Sequence, residues 1–357
     1  MGFAGSGVWH AACGFSGMQP ERKTWRDRAL RVAGILFLLV ALAVIVSFAR
    51  RLDWQQVGES LASYPAGVLA TGFVLALIGF TAFASYDLLS RHFTKHTVPP
   101  WETLAIAAVG YAFNLNLGTW VGSLGFRYRL YSRFGLKPMA ISRIIGLGIV
   151  TNWSGFLLLA GVIFVFLPLP VPAQWGASPL LFQSIGGVLL VIFGAYVGVC
   201  ATSGGRVWRV RGFSITTPPL PFAALQVALS CVSWLCMGTI VWLLLPGDIE
   251  FPLVMAGLAV ASVGGVLLHI PGGLGVIEAV FVALLHDRLP EAEVIAAILG
   301  YRAIYFVTPF LLALLGYAGL EAHARRLDRR KRRTSHGPHK VRGHLQSGSL
   351  PPSRAPS

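Results

Sequence analysis

Two ionisable residues lie inside stretches otherwise fit only for lipid. Glu278 follows the glycine-rich turn His269-Ile-Pro-Gly-Gly-Leu-Gly275, and Arg302 lies within the last long apolar run. A charge at membrane depth is costly and is kept where it pairs or where it handles an ion or headgroup. Each sits about eight residues, or roughly 12 Å, from the same end of its segment, so the two depths match. They are placed either to gate or neutralise a headgroup or to pin one segment to another. A second set of cations is Arg127, Arg129 and Arg133. Arg129 and Arg133 share a helical face, and Arg127 points elsewhere. Tyr128 and Tyr131 interleave with them, as at a membrane interface. An arginine fork suits a lipid phosphate, and topogenic charge against anionic headgroups is the alternative. Asn114, Asn116 and Asn152 are uncharged polar residues at membrane depth, where interhelical hydrogen bonding is expected. Asp87 has Arg91 one helical turn on, the spacing of a local ion pair.

The elements that must position these groups are apolar helices. Hydrophobic residues make up 55% of the 357 and charged residues 12%, which excludes an ordinary soluble domain. A spanning helix needs roughly 20 apolar residues. The runs that qualify are Leu30–Ala49, Ala66–Ser90, Ile141–Phe166, Leu180–Ala201, Phe222–Leu245 and Val294–Gly319. Glu102–Val121 and Phe251–Ile270 are apolar too, but lead into glycine turns. The fold class is all-α and polytopic, a membrane protein.

The two glycine turns form a repeat. Gly122-Ser-Leu-Gly125 recurs as Gly272-Gly-Leu-Gly275 at a spacing of 150 residues, and Ala105–Ala112 aligns without a gap on Met255–Ser262. Lys137-Pro138 and Leu289-Pro290 open the helices that follow. Paired glycine-interrupted segments in two halves point to a binding site at the repeat interface. Repeat one covers about 66–167 and repeat two about 222–319, within a single membrane domain at 30–320.

Charge orients the chain. Cytoplasmic loops carry excess Lys and Arg, and the segment 1–29 and the tail 321–357 are both basic. Both ends are expected inside, the tail as a disordered segment. Were Glu102–Val121 a full crossing, Arg127, Arg129, Arg133, Lys137 and Arg143 would lie outside, against that bias. A hairpin entering and leaving from the cytoplasm removes the conflict. The acidic return loop of Phe251–His286 (Asp287, Glu291, Glu293) makes its partner a hairpin from the other face. About six full spans plus two re-entrant hairpins result, with eight ordinary spans as the alternative. Non-helical backbone at membrane depth must be buried or line a wet cavity, so the two turns are expected to meet. The candidate substrate-binding set is therefore Glu278, Arg302, Arg127, Arg129, Gly272, Gly273, Gly275 and Asn116.

Other chemistries find no footing in the residues. Cys13, Cys200, Cys231 and Cys236 lack metal-ligand spacing. Gly273-Leu-Gly275 has neither the strand context of a dinucleotide site nor a following Lys-Ser/Thr. No nucleophile, base and acid fall together, so no cofactor, metal or enzymatic role is expected. The basic tail, with His336, His339 and His344, lies next to a membrane helix and is expected against anionic lipid rather than nucleic acid. The first apolar run is too long for a cleaved leader, and Met18 is an alternative start.

At these residues the chain resembles a known family. Tyr86-Asp87-Leu-Leu, Gly125-Phe-Arg127-Tyr-Arg129-Leu-Tyr, Pro271-Gly-Gly-Leu-Gly-Val-Ile-Glu278-Ala and Tyr301-Arg302 are similar to the lysylphosphatidylglycerol synthase transmembrane-region family, over roughly Leu30 to Glu321. The family includes many stand-alone bacterial inner-membrane proteins. In its bifunctional members this region is thought to flip aminoacylated phosphatidylglycerol, while a soluble domain makes it. The tail here is too short for that domain, so the resemblance implies lipid handling without the synthase step. Anionic phospholipid is the implied partner. A scaffold that recruits a lipid-synthesis enzyme through its tail is the alternative.

Overall fold

A computed structural model describes residues 62–118, 124–167, 178–210, 213–268 and 270–335, with Gln55, Gly58 and Glu59. The expected first span, Leu30–Ala49, lies outside the described residues. The helices are α1 (Ala66–Thr94), α2 (Pro100–Leu117), α3 (Phe126–Arg133), α4 (Pro138–Phe166), α5 (Pro179–Ser203), α6 (Leu220–Leu244), α7 (Phe251–Leu267), α8 (Val276–Leu285), α9 (Glu291–Arg302) and α10 (Thr308–Ser335). A π-helical turn, Ala303–Val307, joins α9 to α10. Among the described residues, five helices are long and apolar enough to cross a membrane: α1, α4, α5, α6 and the continuous run Glu291–His323. Helix is forced by the solvent, because hydrocarbon offers a backbone no hydrogen-bond partner.

Proline sets many of the helix starts. Pro100, Pro138 and Pro179 occupy first helical positions, and Pro65, Pro99, Pro219 and Pro290 are N-caps. At these places the missing N–H costs no helix bond and φ is already helical. Pro138 and Pro290 thus begin the helices expected of them. The loop between α5 and α6 is an antiparallel ribbon, β1 (Val207–Val210) paired with β2 (Phe213–Thr216). The tail also departs from expectation. Helix continues to Ser335, so residues 321–335 are not disordered; Arg, Lys, Leu and Ala are all good helix formers. Residues 336–357 lie outside the described part.

The repeat is visible as a sequence of lengths. A long helix (α1), a short one (α2), a shorter one (α3) and a long one (α4) recur as α6, α7, α8 and α9–α10. The equivalent helices α1 and α6 pack against each other at the centre. Polar bonds tie the long helices together. Gln226 Nε2 donates to Thr151 Oγ1 at 2.6 Å, and Ser230 Oγ to the Asn152 carbonyl at 2.8 Å. Asn152 thus serves through its backbone, where its side chain had been expected to act.

Both α2–α3 (hairpin one) and α7–α8 (hairpin two) return to the end from which they start. In hairpin two, Arg288 Nη1 beyond α8 donates to Glu250 Oε2 before α7, at 2.5 Å. In hairpin one, His323 of α10 lies 3.2 Å from Glu102 and 5.5 Å from the Trp101 ring at the start, and 6.4 Å from the Phe134 ring at the finish. Glu291 follows hairpin two directly, whereas His323 meets hairpin one. The run between them is 33 residues, about 50 Å at 1.5 Å per residue. The bases of the two hairpins therefore lie at opposite ends of the last helix.

Candidate functional site

The tip of hairpin two is built around Arg302. Its Nε donates to Glu278 Oε1 at 2.5 Å and Nη2 to Glu278 Oε2 at 3.1 Å. Nη1 donates to the Gly272 carbonyl at 2.9 Å and Nη2 again to the Gly273 carbonyl at 3.0 Å. Four of its five N–H groups are thus used within the chain. Glu278 is satisfied as well, since its Oε2 accepts from the Gly275 amide at 2.9 Å and caps α8. Both side chains are 9% exposed. Backbone carbonyls freed by the turn are expensive in a dry interior, and a fork of parallel donors is the side chain that meets two of them while pairing a carboxylate. Gly272 and Gly275 have φ of 64° and 79°, which only glycine adopts without strain.

The two tips touch. A Cβ on Gly272 would lie 2.9 Å from the Leu115 carbonyl oxygen and 4.0 Å from that of Asn116, at the end of α2. Asn116 Nδ2 donates to Ala112 O at 2.8 Å and to Phe306 O at 3.2 Å. Phe306 lies in the π turn, whose wider winding disturbs the ordinary carbonyl pairing. Thr308 Oγ1 bonds the Ala303 carbonyl of that turn at 2.8 Å. Hairpin one, hairpin two and the π turn of the last helix thus share one junction. Gly122 lies outside the described residues. Gly125 is right-handed, with φ of −62°, so it does not make the sharp reversal expected of it.

Hairpin one carries a second buried ion pair, on different terms. Arg127 is 2% exposed and Asp87 fully buried. Nη1 and Oδ1 are 3.5 Å apart, too far for a well-formed hydrogen bond. Tyr131 donates to Asp87 Oδ2 at 2.8 Å. Among the described residues, Asp87 Oδ1 and Arg127 Nε and Nη2 have no hydrogen-bond partner. The guanidinium sits 5.6 Å over the Phe83 ring, and Phe83 stacks on Tyr111 at 3.5 Å. Gly110 makes the room, since any Cβ there would overlap the Arg127 side chain. The expected local pair of Asp87 with Arg91 is not formed. Asp87 turns across the bundle to α3.

The outward face of α3 is cationic. Arg129 and Arg133, 56% and 43% exposed, both reach Glu321 Oε1 of α10, at 3.7 and 3.1 Å. Next to them a cleft of about 550 Å³ runs between α3 and α4, lined by Leu124, Gly125, Tyr128, Ser142, Ile145, Gly146 and Ile149. It extends from the tip of hairpin one toward its basic base.

The candidate residues therefore divide. Glu278, Arg302, Gly272, Gly273, Gly275 and Asn116 meet at the tips, whereas Arg127 is buried toward Asp87 and Arg129 faces outward. Sequence reasoning missed the Asp87–Arg127–Tyr131 cluster. Its one available signal was an acid inside a span; Arg127, 40 positions away, was not marked as its partner.

The comparisons agree with this architecture. The family model for the lysylphosphatidylglycerol synthase transmembrane region matches residues 31–313. The Escherichia coli inner membrane protein YbhN is 37% identical over 87% of this chain and 98% of its own length. An uncharacterised Synechocystis protein, slr0712, is 30% identical over 84% and 94%. The Bacillus subtilis phosphatidylglycerol lysyltransferase is 25% identical over 69% of this chain, which is 29% of that enzyme. The chain belongs to the lysylphosphatidylglycerol synthase transmembrane-region family and is an integral membrane protein.

Proposed function

We propose that this protein moves an anionic phospholipid, or a related lipid, between the leaflets of the bacterial inner membrane. Both termini face the cytoplasm in this reading. Hairpin one enters from the cytoplasmic side and hairpin two from the outer side, and neither crosses. An 8-residue α3 and a 10-residue α8, about 12 and 15 Å long, are half the length a crossing needs. The carrying observation is the contact of the two tips at Gly272 and Leu115, reached from opposite ends of the bundle. A headgroup would follow the cleft beside Tyr128, with Arg127 and Arg129 engaging its phosphate on the inner side. Arg302 and Glu278 hold hairpin two rigid while hairpin one rocks against it. The phosphatidylglycerol lysyltransferases among the relatives favour phosphatidylglycerol chemistry at the headgroup.

Proteoliposomes with a leaflet-resolved fluorescent phosphatidylglycerol test the reading. Protein-dependent movement that falls at least tenfold in Arg129→Ala with Arg133→Ala is expected. Movement no faster than in protein-free vesicles would contradict it. A second reading, a scaffold that docks a lipid-modifying enzyme, draws on the helical extension to Ser335. It wins if deletion of 322–357 abolishes the cellular phenotype while transport in vesicles is unchanged.

A further inference from the structure

The buried pair in hairpin one is incomplete in a way the pair in hairpin two is not. Arg127 is always charged and needs an anion. Asp87 supplies one at 3.5 Å without a good hydrogen bond, leaving Arg127 Nε, Nη2 and Asp87 Oδ1 unpartnered among the described residues. A half-satisfied buried pair returns little of its desolvation cost. A phosphate, with oxygens in the plane of the fork, would satisfy the guanidinium better than Asp87 does. A carboxylate that loses its cation in a dry site cannot stay charged cheaply, but it can take a proton.

We propose that Asp87 is a proton-binding site, and that a proton on Asp87 and a lipid phosphate on Arg127 are taken up together. This rests on the lipid-transport reading above and adds to it an energy source, the transmembrane proton gradient. The geometry supplies the route. Tyr128, next to Arg127 in the chain, already lines the cleft. A turn of α3 by about 100°, one residue of helix, carries position 127 to where 128 faces. The short α3 is not clasped through backbone carbonyls as α8 is, so Asp87 and Tyr131 hold Arg127 inward. Protonation of Asp87 removes the attraction that keeps it there.

The groups around Asp87 are few. Arg127 and Tyr131 face it from α3, and Tyr111 stands next to Arg127 from α2. Gly148 faces it from α4 with no side chain, its Cβ position 3.9 Å from Asp87 Oδ1 and 3.7 Å from Arg127 Nη1. Arg91 lies one turn along α1, and His96 sits beyond Tyr131 with rings 6.1 Å apart. Tyr86, its neighbour on α1, faces Ser230 and Ser233 of α6. Asp87 is the one carboxylate in this set.

The test uses the full chain in phosphatidylcholine nanodiscs to which phosphatidylglycerol is added. Three quantities are read: bound lipid, protons taken up from weak buffer, and the infrared carbonyl band of a protonated carboxyl. About one proton per bound phosphatidylglycerol is expected, together with growth of the acid band. Affinity is expected to weaken with rising pH by up to about tenfold per unit, as linkage of one proton requires. In Asp87→Asn the band, the uptake and the pH dependence should all vanish while binding persists. Glycerol 3-phosphate, the same phosphate without acyl chains, should elicit no uptake; uptake with it alone overturns the assignment to lipid. Lipid binding by the wild-type chain with neither uptake nor acid band overturns the proton site and leaves the lipid reading intact. Absence of phosphatidylglycerol binding at every pH overturns both.

Discussion

Among the described residues, each hairpin carries one ion pair with both partners buried, and the two pairs differ in what they hold. Glu278 and Arg302 bind each other and also the backbone of their own turn, through Gly272, Gly273 and Gly275. Among the described residues, Asp87 and Arg127 bind neither each other closely nor any backbone group, and Tyr131 provides the one good bond. The same repeat unit has thus produced a structural clasp in one half and an exchangeable contact in the other. On the proposed reading, hairpin two is the fixed element and hairpin one the moving one. A pair that also satisfies backbone groups cannot open without exposing them to hydrocarbon. A pair that satisfies little can.

The largest effect that would break this contrast comes from Arg302→Ala. It leaves the buried Glu278 carboxylate without its cation and two glycine carbonyls without partners, and should cost about 3–5 kcal/mol. Thermal unfolding in detergent measures it; a loss under about 1 kcal/mol contradicts the clasp. Neutral double replacements sharpen the comparison. Glu278→Gln with Arg302→Met should cost about 2–4 kcal/mol, because the carbonyls remain orphaned. Asp87→Asn with Arg127→Met should fall within about 1 kcal/mol of wild type, since the pair it removes is poorly satisfied. Equal costs for the two would erase the distinction.

Smaller effects follow from the glycines. Gly110→Ala puts a methyl group on the Arg127 side chain and should cost about 1–3 kcal/mol as overpacking, with partial rescue by Arg127→Met. Gly272→Ala, at φ 64° and 2.9 Å from Leu115 O, should cost about 1–2 kcal/mol for the left-handed conformation alone. The smallest effect belongs to the base of hairpin two. A backbone hydrogen bond, and then Arg288, hold the Glu250 carboxyl below its ordinary 4.5. The stability it lends is present above that value and fades as pH falls through the depressed one. Arg288→Ala should return Glu250 toward its ordinary range by NMR titration, with no resolvable change in melting temperature at neutral pH, as for exposed pairs generally.

How much of this was legible in the sequence depended on whether a feature is local. Helix spans followed from hydropathy, and their starts from proline, because both act within one segment. The Glu278–Arg302 pair followed from depth, since two charges equally far from one face have few other partners. The Asp87–Arg127 pair was not legible, because Arg91 offered a local partner at the right spacing and only the fold sets Arg127 closer. The π turn at Ala303–Val307 has no residue signature, and its carbonyl partner, Asn116, comes from another repeat. Disorder was expected of the tail from its Ser, Pro and Gly content; helix runs to Ser335, where Arg, Lys and Leu favour it once α10 has nucleated it.

The opposed entry of the two hairpins is tested most directly by labelling intact cells with a membrane-impermeant thiol reagent. Cysteines would be placed singly at Lys137 and Asp287 in a chain whose own cysteines are replaced by serine or alanine. The account predicts that Asp287→Cys is labelled from outside and Lys137→Cys only after the membrane is opened. Labelling of Lys137→Cys in intact cells would contradict it, because hairpin one would then be a full crossing and the two tips could not approach from opposite faces.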